Sequence, residues 1–144
     1  MFYSEKVKKA AQLSFIAHKD DSDKAGYPYF MHPLTLALQF DDEDSVCVAL
    51  LHDVIEDHPD VFDFKYLEEM GFNEKVISAL KLLTHAKDVD YIDYIKQIKQ
   101  NEIARKVKIA DLMHNLDARR LDGKKPKKYE TYLKALAILK EEYI

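Results

Sequence analysis

The chain has no tryptophan, one cysteine, three glycines and four prolines in 144 residues. So few chain breakers exclude an architecture of many tight turns and favour long helices with short connections. The lone Cys47 can make no internal disulfide, and it sits in the apolar run Val46-Cys47-Val48-Ala49-Leu50-Leu51. A buried structural thiol is therefore expected, not a nucleophile. No apolar run approaches the roughly eighteen residues of a membrane span. The opening Met1-Phe2-Tyr3-Ser4-Glu5-Lys6 lacks the charged, apolar and small-residue zones of a secretory signal, so cytoplasm is the expected compartment. No alternating strand pattern persists, and there is no repeat or low-complexity linker.

What is present fits one globular domain over 1–144: 47% hydrophobic and 33% charged residues, with room for a single core. The net charge of −4 is unevenly spread. Between Lys96 and Lys128 stand eleven Lys or Arg against only Glu102, Asp111, Asp117 and Asp122, so the remainder is strongly acidic. The plain reading is solvated helix faces. The sharper one is a positive rim that draws in a polyanionic small molecule. Nucleic acid is not expected as a partner, because an acidic molecule is repelled by a phosphate backbone.

The hydrophobic spacing is helical throughout. A first helix is expected over 5–19, and a second opening at His32-Pro33, with the proline in its first turn. A third runs from an N-cap at Asp44 or Ser45 to about Asp57, where Pro59 follows. A short helix over 63–70 stops at Gly71. Asn73 caps a helix whose Val76, Ile77, Leu80 and Leu83 recur at three- and four-residue steps. Tyr91, Ile92, Ile95 and Ile98 mark another. Asn101 caps one running to about Leu121, and Pro126 opens the last, with Tyr132, Leu136, Leu139 and Tyr143 on one face. The expected fold class is all-α, with about seven to eight helices.

The chemistry concentrates in Ala49-Leu50-Leu51-His52-Asp53-Val54-Ile55-Glu56-Asp57. A His-Asp pair alone carries little weight. Here it follows wholly apolar turns, and on a continuous helix His52 lies over Glu56 and Asp53 over Asp57. Unpaired buried charges cost several kcal/mol, roughly, so an apolar helix carrying this group calls for compensation, which a divalent cation supplies. His32, at a helix mouth, and Asp111, in the largely apolar run Val107 to Asn115, are similarly placed. Two imidazoles with two carboxylates suit Mn, Fe, Co or Zn better than Mg or Ca.

Three segments carry a resemblance: Gly26-x-Pro28-Tyr29-x-x-His32-Pro33, Ala49-Leu50-Leu51-His52-Asp53-x-x-Glu56-Asp57, and Lys108-x-Ala110-Asp111-x-x-His114-Asn115. Together, in this order and over nearly the whole chain, they resemble the HD superfamily, and most of all the hydrolase domain of RelA/SpoT-type alarmone enzymes and their stand-alone small hydrolases. The resemblance implies a helical bundle around a metal held by His32, His52, Asp53 and Asp111, typically manganese. It implies that Glu56 and Asp57 orient and activate the attacking water, and that Lys24 and Asn115 contact the nucleotide, with Tyr129 near the base. The implied reaction removes the 3′-pyrophosphate from guanosine tetra- or pentaphosphate.

The chain departs from that pattern at two positions. Asp23 stands where the family usually has Arg, and Leu112 where it usually has a basic residue. Two alternatives therefore remain beside the alarmone reading: a phosphatase of nucleoside monophosphates or other phosphomonoesters, and a non-catalytic nucleotide sensor. The chain stops where a synthetase domain would follow, so pyrophosphate transfer is not expected. Among the other histidines, His18 is expected to buttress the site, and His58, His85 and His114 to play structural roles.

Overall fold

The computed structural model describes residues 1–141, and among them the elements are helical. They are α1 (Glu5–His18), α2 (Met31–Ala37), α3 (Glu43–Leu51), α4 (Val54–Asp57), α5 (Phe64–Glu69), α6 (Glu74–Leu83), α7 (Tyr91–Lys99), α8 (Glu102–Asn115), a 3-10 turn (Ala118–Leu121) and α9 (Tyr129–Lys140). A single isolated bridge joins Ser22 to Pro28. The all-α expectation holds; Tyr143 lies outside the described residues.

Side-chain caps set most of the starts. Ser4, Asp63, Asn73, Asp90 and Asn101 each accept a backbone N–H from the first turn they precede. Each such cap is worth about 1 kcal/mol. Gly71, at φ +95°, follows α5 in the left-handed conformation that a side chain would strain.

The core is organised around α3. Every residue from Ser45 to Leu51 is buried, and α1, α2, α6 and α8 pack around it. Leu50 and Leu51 are effectively excluded from solvent, each contributing about 1.5–3 kcal/mol by burial. Cys47 is part of this core, and burial pushes its thiol up to about 12, which leaves it unreactive. The helices α7 and α9 pack on each other and on α8, closing the far wall of the domain.

The last helix begins at Tyr129 and not at Pro126, and three other boundaries differ from the sequence expectation. The N-cap of α3 is Asp42, whose carboxylate accepts from Ser45 N and is held by Lys106 as well. The expected helix over 44–57 is broken at His52–Asp53. His52 Nδ1 bonds Ala49 O at 2.7 Å, the carbonyl that a continuous helix offers to the Asp53 amide. Asp53 then adopts φ −107°, ψ −2° and α4 restarts at Val54. Finally, α8 stops at Asn115 instead of running to about Leu121. The Asp117 carboxylate captures the Arg119 amide and caps a separate 3-10 turn, as Asp side chains do when they compete with helical bonding.

Candidate metal centre and active-site cleft

The break after α3 turns His52 and Asp53 toward α2 and α8. His52 Nε2 lies 3.0 Å from Asp53 Oδ2 and 3.6 Å from Asp111 Oδ1. His32 Nε2, from the first turn of α2, lies 2.8 Å from the same Asp111 oxygen. Four side chains separated by up to 79 residues thus converge on one point. His32, His52 and Asp111 are buried and Asp53 half-buried.

The protonation chemistry of His52 shows what this point requires. Its Nδ1 faces a backbone carbonyl, so Nδ1 carries the proton of a neutral ring, and Nε2 presents a lone pair to two carboxylates. Nε2 has no hydrogen-bond partner. Electron-rich atoms meeting in a buried site need a positive charge between them, either a metal ion or an added proton. Burial alone would lower the His52 imidazole, but Asp53 and Asp111 outweigh it and hold its pKa well above the usual value. Burial likewise opposes ionisation of Asp53, yet the neighbouring His52 and His32 bring it down to about 2. Asp111 is held well below the carboxylate range by Lys108, His32 and His52 against the same penalty. Two carboxylates and two imidazole nitrogens meeting at one point fit a divalent cation of mixed nitrogen and oxygen preference, which would take the place of the His52 proton.

Further side chains hold these four in place. Tyr29 donates its phenol to Asp53 Oδ2. His114 Nδ1 lies 2.6 Å from His32 Nδ1 with the two rings stacked. Burial, Arg120 and His32 lower His114 to about 4, so it is a neutral acceptor that fixes the His32 proton on Nδ1. Lys108 Nζ lies 2.8 Å from Asp111 Oδ2. Asn115 Nδ2 donates to Asp111 Oδ1 at 3.1 Å.

A cleft of about 380 Å³ opens over Asp53 and Asp111. Glu56 and Asp57 line it from α4, as do Lys108 and Asn115 from α8, and Lys128, Thr131 and Tyr132 from the start of α9 and just before it. Burial, Asp53 and Glu56 push Asp57 up to about 6, close to the working range of a proton acceptor. Glu56 accepts the His85 amide at 2.7 Å, which ties α4 to the segment after α6. With the helix broken, the i, i+4 stacking expected for His52 over Glu56 gives way to a corner: Asp53 reaches the floor with His52 buried behind it, and Glu56 and Asp57 form the rim.

The nucleotide contacts expected from the sequence divide. Asn115 borders both the main cleft and an adjoining lobe of about 240 Å³, and Lys24 lines that lobe. Tyr129 is not brought to the cleft. Its ring lies under Lys125 Nζ at 4.6 Å, and Tyr132, one turn further along α9, faces the cleft in its place. The two departures from the family pattern also find their surroundings. Leu112 is a core residue with no exposed surface. Asp23 turns toward Arg120, whose NH2 lies 3.8 Å away and whose NH1 donates to Asn115 Oδ1 at 2.7 Å. A cation therefore stands in the lobe, but it comes from position 120.

Sequence reasoning left out Lys108, His114, Tyr132, Lys128 and Arg120. Lys108 and His114 lie three residues on either side of Asp111, a spacing that puts all three on one helix face. Arg120 and Lys128 belong to the basic stretch read as a positive rim, but nothing local singles them or Tyr132 out, because folding alone brings α9 and the 3-10 turn to the cleft.

No family model matches the chain. A guanosine-3′,5′-bis(diphosphate) 3′-pyrophosphohydrolase of Aquifex aeolicus is 30% identical over 94 residues, which are 62% of this chain and 13% of that protein. A GTP pyrophosphokinase of Brucella melitensis is 29% identical over 127 residues, 76% of this chain and 16% of its own length. The chain thus spans less than a fifth of the length of either relative. Among solved structures, a metazoan orthologue of SpoT, described as hydrolysing ppGpp, superposes with a TM-score of 0.74 at 21% identity, over 97% of this chain and 88% of that one. In sequence the chain is similar to a segment of these enzymes, and in fold it matches the metazoan SpoT orthologue.

Proposed function

We propose that the chain is a metal-dependent phosphohydrolase that removes the 3′-pyrophosphate from guanosine tetra- or pentaphosphate. The observation that carries this reading is the meeting of His32, His52, Asp53 and Asp111 at one point, where Asp53 and Asp111 face a cleft with two carboxylates on its rim. These four residues are the ligands of a divalent metal, with Mn²⁺ the first choice and Fe, Co or Zn also compatible with the donor set. When bound there, such an ion polarises a phosphate oxygen and makes water more acidic.

The chain's own residues supply the rest. Asp57, raised to about 6, takes the proton from the attacking water. Glu56, anchored by the His85 amide, keeps α4 and its partner carboxylate over the floor. Lys108 and Lys128 face the cleft and neutralise charge on the phosphates. Asn115 and Lys24 border the lobe for the nucleoside end, with Tyr132 at the junction between cleft and lobe. The working partner is thus a small nucleotide and not a nucleic acid. None of the helices among the described residues is long and apolar enough to cross a membrane, and we place the activity in the cytoplasm.

The test is release of pyrophosphate and phosphate from a nucleotide panel with Mn²⁺, comparing the wild type with Asp53→Ala. Pyrophosphate from guanosine tetraphosphate, lost in the variant, is expected. Phosphate from nucleoside monophosphates alone would replace this reading with a phosphomonoesterase. Tight nucleotide binding without turnover would replace it with a sensor.

A further inference from the structure

A second convergence of donors lies outside the cleft. His18 ends α1, Asp21 is in the loop that follows, and His58 is the C-cap of α4. His18 Nδ1 lies 3.0 Å from Asp21 Oδ2, and His58 Nε2 lies 2.7 Å from that same oxygen. One ligand atom from each residue lies within 4.8 Å of the other two. The Tyr29 ring separates this group from the first, 4.7 Å from His18 and 5.7 Å from His32, centroid to centroid.

His18 is only 1% exposed and presents its Nδ1 to the group. Two imidazole nitrogens aimed at one carboxylate oxygen are a three-ligand set of the kind that holds a transition metal. Neighbouring ligand atoms around a tetrahedral ion at about 2.1 Å are about 3.4 Å apart. The observed 3.0 and 2.7 Å need to widen by about 0.4 and about 0.7 Å, and the Asp21 side chain, 35% exposed, is free to turn.

We propose that His18, Asp21 and His58 form a second divalent-metal site, of zinc-like preference, with its remaining coordination positions open to water through the exposed edge at Asp21 and His58. A metal there ties the end of α1 and the loop leading to Tyr29 directly to α4, the helix that carries Glu56 and Asp57. The site shares no ligand with the cleft and does not depend on the reaction assigned to it.

The test is metal stoichiometry on the full chain, stripped with chelator, loaded with Zn²⁺ and dialysed, with Co²⁺ absorption as a second probe. The wild type is expected to retain two equivalents, His58→Ala one, Asp53→Ala one, and the D53A/H58A double variant none. His58 is partly exposed at the end of a short helix, and circular dichroism checks that its replacement leaves the fold intact. Asp21→Asn gives an independent second variant with the same expected loss. A wild type that retains one equivalent, or a stoichiometry unchanged by both His58→Ala and Asp21→Asn, overturns the proposal. If Asp53→Ala alone has no effect, the first site is refuted while His58→Ala still decides the second.

Discussion

Replacing Lys108 with Met tests the electrostatic logic of the cleft floor most directly. The ammonium is 2.8 Å from Asp111 Oδ2, and the two side chains are 13% and 7% exposed. Burial works against the charge on Lys108, but Asp111 outweighs it and raises its pKa well above the usual lysine value. Breaking such a pair typically costs about 3–5 kcal/mol because a buried charge is left behind. Asp111 keeps His32, His52 and Asn115 as neighbours, so the lower end, about 3 kcal/mol, applies here. For a domain of this size that corresponds to a fall in Tm of roughly 6–12 °C.

The pH dependence of this loss has a definite sign. A raised lysine contributes stability that is complete below its ordinary pKa and vanishes only as pH rises through the folded value. A depressed aspartate contributes stability that is present above its ordinary pKa and vanishes as pH falls through the folded value. Both conditions hold between about pH 5 and pH 9, so the deficit of the variant is full there and shrinks below about pH 4. Thermal melts followed by circular dichroism, in chelator and across that range, read the effect. A double-mutant cycle with Asp111→Asn isolates the pair, with a coupling of at least about 1.5 kcal/mol expected. A loss under about 1 kcal/mol at neutral pH would refute the reasoning, as would one that does not shrink in acid.

Three other outcomes are expected. Because Asp57 acts as a base only when ionised, kcat should rise with pH through about 6, and Asp57→Asn should remove that limb and lower kcat about 100-fold or more; an unchanged profile assigns the ionisation elsewhere. His114→Ala frees the His32 ring and should weaken Mn²⁺ binding about 10- to 100-fold in a calorimetric titration, whereas unaltered affinity would make the His32–His114 contact incidental. Tyr132→Ala should raise KM for the nucleotide while Tyr129→Ala leaves it near wild type, and the reverse ranking would show that the aromatic contact comes from the start of α9.

Much of this was legible locally. The caps at Asn73 and Asn101, and the stop at Gly71, are signals a few residues long, and the helices after those caps and before that glycine start or stop beside them. The four residues expected to share a metal were also visible, because charged groups inside apolar runs are conspicuous wherever they fall. Less legible were features in which a side chain competes with the backbone for a partner. His52 diverts the Ala49 carbonyl and breaks the helix that the spacing predicts as continuous, and Asp117 ends α8 early in the same way.

By itself the sequence determined the helical class, the helix registers and the chemical identity of the donors, since each depends on propensity, capping and short-range periodicity. Only the tertiary structure decided which groups meet. It set His114 against His32 across 82 residues, chose Tyr132 over Tyr129 for the cleft, brought Arg120 to the lobe beside Asn115, and joined Asp21 to His58 from positions 37 residues apart. The physical reason is that such contacts are made by the packing of α1, α2, α6 and α8 around the buried α3, of α9 on α8 and of α4 on α1, and packing over that range leaves no periodic trace in any one segment.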